Sequence, residues 1–190
     1  MPYEMPPDEL AAIVDAPLTP SVSLDPTKTM LLLMHRPGSP SIDELSQPEL
    51  RLAGLRIDPV ANGPSRSGFY NGLTLKRIAD GEERVVSGLP DHAKIGQVHW
   101  SPDGKHFAFS ITDNKGIALW LADVDTGVAR VLSNVKLNKV FGGAIVWLPD
   151  STGLLVRAVC EDRGDPPQGL RVPDGPVIQE NAGTLAPSRT

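Results

Sequence analysis

The chain has 190 residues, 40% of them hydrophobic, which is enough for one domain with a core of its own. Its formal charge is −5 and its 18 Lys and Arg residues are scattered, which excludes the basic footprint of a nucleic-acid binder. A single cysteine, Cys160, excludes an internal disulfide, and nothing near it has zinc-site spacing, so a small buried strand residue is expected there.

Residues 1–20 read as an irregular arm around one short helix at 8–14, with Asp8 as its cap and Leu10, Ile13 and Val14 on one face. Pro17 and Pro20 end it. The opening residues, Met1 through Glu9, are acidic and proline-rich, whereas a secretory signal needs a basic region followed by an apolar one. No signal peptide is expected in them, and the compartment is left open. The longest apolar run, at 30–34, is far too short for a membrane segment.

From Ser21 onward the pattern changes to short β-rich runs punctuated by turn residues. A strand at 30–35 is expected to pair onward with 72–78, and that strand with 84–86 across the turn at Asp80-Gly81. Between them lies an insertion, about 36–69, predicted to hold a short helix near 42–45 and an extended piece at 50–57. The clearest stretch is 95–132, where Gln97-Val98-His99-Trp100 and Lys105-His106-Phe107-Ala108-Phe109-Ser110-Ile111 alternate with period two around Ser101-Pro102-Asp103-Gly104. Proline presets φ at the second turn position, Asp tolerates the third, and glycine accepts the positive φ that closes the hairpin. A third strand at 117–122, the polar turn Asp123-Val124-Asp125-Thr126-Gly127 and a fourth strand at 129–132 complete a four-stranded antiparallel unit, the size of one β-propeller blade.

That unit recurs. Leu24-Asp25-Pro26-Thr27-Lys28, Trp100-Ser101-Pro102-Asp103-Gly104-Lys105 and Trp147-Leu148-Pro149-Asp150-Ser151-Thr152-Gly153 each join a strand ending in a large apolar residue to a Pro-containing turn and another apolar strand. The third copy offers only two strands, 144–148 and 154–159, before a Pro/Gly-rich tail. The expected fold is therefore all-β, an incomplete propeller of about two and a half four-stranded antiparallel blades with a short N-terminal helical arm. Its parts are an arm at 1–20, a partial propeller at 21–162 and a tail at 163–190 leading into missing sequence.

The Trp100–Lys105 phrase with Asp123 to Gly127 looks like the blade repeat of TolB-type and peptidase propellers. Outside the repeat stand Pro6-Pro7 with Ile13-Val14-Asp15-Ala16-Pro17, and Leu52-Ala53-Gly54-Leu55-Arg56-Ile57 with Ser65-Arg66. Further on come Arg163-Gly164-Asp165-Pro166-Pro167 with Val172-Pro173, Gly175-Pro176 and Ile178-Gln179. Together they resemble the N-terminal propeller region of the glutamyl endopeptidase-like branch of the prolyl oligopeptidase (S9-type) serine peptidases, over nearly the whole chain. The resemblance implies a propeller that restricts access to an α/β-hydrolase domain, where a C-terminal Ser, Asp and His perform acyl transfer. None of those positions falls within these residues. The hydrolase elbow needs Gly-x-Ser-x-Gly, and the nearest string, Gly63-Pro64-Ser65-Arg66-Ser67, fails at its last position.

No catalytic, cofactor-binding or metal-binding residue is therefore assigned, and no cofactor. The expected role is a truncated gate, inactive alone, that meets peptide substrates only within the full-length peptidase and whose exposed blade edges self-associate. The alternative is a free-standing propeller-like module that binds a peptide or protein through its face or through the 36–69 insertion. Other motifs read as structure. His99 and His106 flank a hairpin and offer half a metal site with no third ligand at suitable spacing. Asp123-x-Asp125-x-Gly127 opens like a calcium loop but lacks its closing glutamate, so a hairpin turn is expected. Arg163-Gly164-Asp165 spells an adhesion tripeptide but matches the family's own loop, and Trp100, Trp120 and Trp147 are expected to pack in the core.

Overall fold

The computed structural model describes residues 6–14, 16–162 and 164; of the tail expected at 163–190 only Gly164 is described, and the opening residues 1–5 lie outside the described residues. In chain order the elements are helix α1 (Asp8–Val14), strands β1 (Ser21–Leu24) and β2 (Met30–His35), helix α2 (Ile42–Ser46), and strands β3 (Leu50–Leu52), β4 (Leu55–Asp58), β5 (Gly63–Pro64), β6 (Gly72–Arg77) and β7 (Glu83–Val85). There follow β8 (Lys94–Trp100), β9 (His106–Asp113), β10 (Gly116–Asp123), β11 (Ala129–Lys136), β12 (Ile145–Trp147) and β13 (Leu154–Val156). The described residues thus form an all-β molecule of several antiparallel sheets. Helix α1 has the predicted bounds, but Leu10, Ile13 and Val14 are all exposed, so its apolar face contributes no buried residue to the core.

Two four-stranded antiparallel sheets stand in sequence, β1-β2-β6-β7 and β8-β9-β10-β11, followed by the β12–β13 hairpin. The insertion between β2 and β6 folds as α2 and a small sheet, β3-β4-β5. The single extended piece expected at 50–57 is instead a hairpin, in which Leu50 pairs with Ile57. Its turn places Ala53 and Gly54 at φ 47 and 83, and glycine makes the second of these accessible without strain.

The three Pro-containing turns have the same backbone bonding. In each, the residue before proline accepts from the amide three residues on: Lys28 to Asp25 (3.1 Å), Gly104 to Ser101 (2.9 Å) and Ser151 to Leu148 (3.0 Å). The donors sit at matching positive φ values of 62, 72 and 61. The turns then close with Asp25 donating to Met30, Ser101 to His106 and Leu148 to Gly153, all through the backbone. Lys28 and Ser151 thus adopt the left-handed conformation that glycine supplies at Gly104.

The sheets stack face to face. Leu32, Leu73 and Leu75 of the first sheet meet Ile95, Phe107 and Phe109 of the second, all fully buried. Ala108, Ile117 and Leu119, on the opposite face of the second sheet, pack against Leu137 and Ile145 toward β12–β13. This explains why β9 reads as an unbroken buried run from Phe107 to Ile111, as a strand covered on both faces should. Repeat-equivalent tryptophans stitch the layers. Trp100 Nε1 donates to Ser23 Oγ of the preceding sheet at 3.0 Å, and Trp147 Nε1 donates to the His99 carbonyl at 2.8 Å. Leu24, Trp100 and Trp147 are equivalent, and so are the acceptors Ser23 and His99.

Aspartates close several of these turns. Burial pushes the Asp25 carboxyl up, but hydrogen bonds from the Thr27 hydroxyl and the Met30, Thr29 and Thr27 amides outweigh it and hold it below the usual range. The Ser101 hydroxyl does the same to Asp103, the Thr126 hydroxyl to Asp123 and the Thr152 hydroxyl to Asp150. A carboxyl whose folded pKa lies below its unfolded value contributes stability above the unfolded pKa and loses it as pH falls through the folded one. The denaturation midpoint is expected to hold down to about pH 4 and to fall below it. An Asp25→Ala variant should start lower and show a shallower acid loss, and an unchanged slope would remove Asp25 from that account.

Candidate functional site

Among the described residues, the motifs singled out in the sequence do not assemble into a reactive site. His99 lies opposite Ala108 and His106 opposite Ser101, so the two histidines are set diagonally, two pairs apart along the hairpin. His106 Nε2 stands 3.6 Å from Asp123 Oδ2, while the half-buried His99 is held below its usual pKa by desolvation and by the Lys139 charge. Among the described residues no three His, Cys, Asp or Glu side chains gather as for a metal. Asp123 accepts from the Thr126 amide and hydroxyl, both at 2.7 Å, in a hairpin turn closed by Gly127 at φ 69. Ser65, in the string nearest to a hydrolase elbow, donates to Glu49 Oε2 at 2.9 Å. Cys160 is exposed and lies beyond β13, because that strand ends at Val156 rather than running to residue 159; the expected buried strand cysteine is corrected. Of the Arg163-Gly164-Asp165 motif only Gly164 is described.

A cleft of about 510 Å³ opens between the insertion and the second sheet. Its outer wall is built locally. Ser41 caps α2 in a capping box, its Oγ accepting from the Glu44 amide while Glu44 accepts from the Ser41 amide. Glu44 also receives Lys94 Nζ at 3.0 Å, tying the insertion to β8, and Lys94 lies 5.3 Å from the centre of the Phe69 ring. Glu49, nearly buried, is held low by the Ser65 hydroxyl and Arg51, with Arg56 and Arg66 further off, and so clamps the small sheet.

Lys139 lines the cleft from the second-sheet side, on the connection between β11 and β12. Its Nζ donates to Ser110 Oγ at 3.2 Å, and burial lowers its pKa. Two glycines make the space. A Cβ at Gly96 would stand 2.3 Å from Ser110 Oγ and 3.0 Å from Lys139 Nζ, and one at Gly63 would stand 2.8 Å from Ile117 Cδ1. Sequence reasoning missed this site. Its one local signal is Gly96, a glycine inside an otherwise β-rich run, which marks close approach by another group.

No family model matches the chain. It is 42% identical over 194 aligned residues to a protein of Oryza sativa subsp. japonica named probable chloroplastic glutamyl endopeptidase, a match covering 95% of this chain and 20% of that one. A protein of the same name from Arabidopsis thaliana is 43% identical over 94% of the chain and 20% of its own length. Among solved structures, an acylaminoacyl peptidase from Pyrococcus horikoshii covers 74% of the chain and 17% of its own, with a TM-score of 0.43 and 15% identity, a likeness too loose to fix a fold. The chain spans 20% of the length of the curated relatives it matches. Identity above 40% sustained over nearly the whole chain makes it similar to one segment of these glutamyl endopeptidases, matching an N-terminal region of the prolyl oligopeptidase (S9-type) proteins.

Proposed function

We propose that this chain is the N-terminal propeller portion of a prolyl-oligopeptidase-like serine peptidase, holding two blades and the start of a third at 21–162, and that it gates access to a hydrolase domain without performing catalysis itself. The repeated tryptophan stitch carries the propeller reading, because it joins equivalent positions of successive sheets as a repeating ring requires. The two end faces agree with it. Val22, Leu24 and Val85 stand exposed on the far face of the first sheet, Val146 and Leu155 on that of the β12–β13 hairpin, where a ring supplies neighbouring blades.

In such a ring the first strand of each blade lines a central channel, and channel width filters substrates by size before they reach the nucleophile. Peptides are the substrates only in that full-length setting. The absence of Gly-x-Ser-x-Gly from the 190 residues agrees with a segment that lacks its own nucleophile elbow. The test is labelling of the 190-residue chain with a fluorophosphonate, alongside hydrolysis of an internally quenched peptide. Neither signal is expected. Stoichiometric labelling of a serine, abolished by heat denaturation, would overturn the reading.

A further inference from the structure

We propose that the cleft between the insertion and the second sheet is a binding site for a carboxylate attached to an apolar body, with Lys139 as its anchor. An ammonium withdrawn from water is expensive to keep charged unless an anion or several hydrogen bonds compensate it. Lys139 has one neutral hydroxyl, Ser110 Oγ, and forms no ion pair with a carboxylate among the described residues. Both carboxylates that line the cleft are already committed: Glu44 holds Lys94 and the Ser41 amide, and Asp58 accepts from the Val60 and Ala61 amides. Of the other cations lining the space, Lys94 is held by Glu44 and Arg66 by the Leu45 carbonyl and Glu49, whereas Arg36 donates among the described residues only to the neutral Thr19 carbonyl.

The remaining surface selects the rest of the ligand. Leu45, Phe69 and Ile117 supply apolar wall, and the volume of about 510 Å³ falls in the range of small-molecule sites. A carboxylate suits the polar end better than a phosphate dianion, which asks for more donors than the one ammonium, one hydroxyl and one guanidinium left once Lys94 and Arg66 are engaged by Glu44 and Glu49. Gly96 fits the same account, since a side chain there would displace the ammonium from Ser110. The inference stands on the cleft alone and is independent of the peptidase reading.

Acetic anhydride footprinting of the lysines, read by mass spectrometry, tests it and tolerates an associating sample. The probes are 3-phenylpropanoate, its amide, and a blocked tripeptide whose one carboxylate is a side chain. Saturating 3-phenylpropanoate or the peptide is expected to slow acetylation of Lys139 about tenfold, with the amide inert and exposed Lys28 and Lys115 unaffected. Protection by the free acid alone assigns a small organic acid, and protection by the peptide alone assigns an acidic side chain. Arg36→Gln should weaken protection several-fold without changing the reactivity of free Lys139. Equal protection by acid and amide, or none by either acid or peptide, would overturn the proposal. So would a Lys139 unreactive before any probe is added, because a carboxylate of the chain's own residues would then fill the site.

Discussion

Replacing Phe107 with alanine is expected to cost the fold about 3–5 kcal/mol, the range for deleting a fully buried aromatic ring. Phe107 has no exposed surface and is the middle of an aromatic row. Its ring lies 5.3 Å from that of Trp100, edge-on, and 5.8 Å from that of Phe109, which in turn stacks 6.3 Å from Trp120. The row runs along the face of the second sheet that meets Leu32, Leu73 and Leu75. Truncation therefore opens a cavity between two sheets, where neither backbone can collapse freely to fill it. Phe107→Leu, which keeps most of the volume, should cost much less. A urea midpoint for Phe107→Ala close to that of the parent would mean that the two sheets do not share this core.

The second large effect is expected at Gly88, on the connection from β7 to β8. Its φ is +80, and a Cβ there would stand 2.3 Å from the Ala129 carbonyl oxygen. The close approach is built in: Ser87 donates to the Gly127 carbonyl and accepts from the Ala129 amide, so the connection runs against the start of β11. Backbone, unlike a side chain, cannot rotate away. Gly88→Ala should lose at least about 2 kcal/mol, combining left-handed strain with displacement of that contact. Gly81 is the control, with a φ of +77 and nothing within 4 Å of its Cβ position. Gly81→Ala should show only the conformational part, about 1 kcal/mol. Equal losses at the two positions would mean that the contact with β11 carries no weight.

Much of the fold was legible because its signals are local. Helix α1 and strand β2 have their predicted bounds, since proline or turn residues flank short apolar runs. The Ser101 to Gly104 hairpin followed from turn chemistry, and Gly104 takes the positive φ assigned to it. Lys28 and Ser151 were opaque at the same position, because nothing in their side chains announces a left-handed residue; only alignment with Gly104 does. The diagonal setting of His99 and His106 depends on pairing register, which shifts between Ile95 and Val98 within β8. Cys160 was misjudged by composition, which cannot see that β13 stops short. The cleft was the least legible feature. Ser110 alternates normally within β9, and Lys139 sits on a connection without periodicity, so only the fold brings them within 3.2 Å.

The stacked sheets also account for the behaviour expected of the chain by itself. Val85 is 74% exposed on one end face and Leu155 is 63% exposed on the other, apolar surface that neighbouring blades would cover in the proposed propeller. Size-exclusion chromatography with light scattering, run on the 190-residue chain across a concentration series, tests the central claim most directly. The expected result is polydisperse material whose mass rises with concentration. A compact monomer at every concentration, melting in one sharp transition, would contradict the claim that these sheets are part of an unclosed propeller.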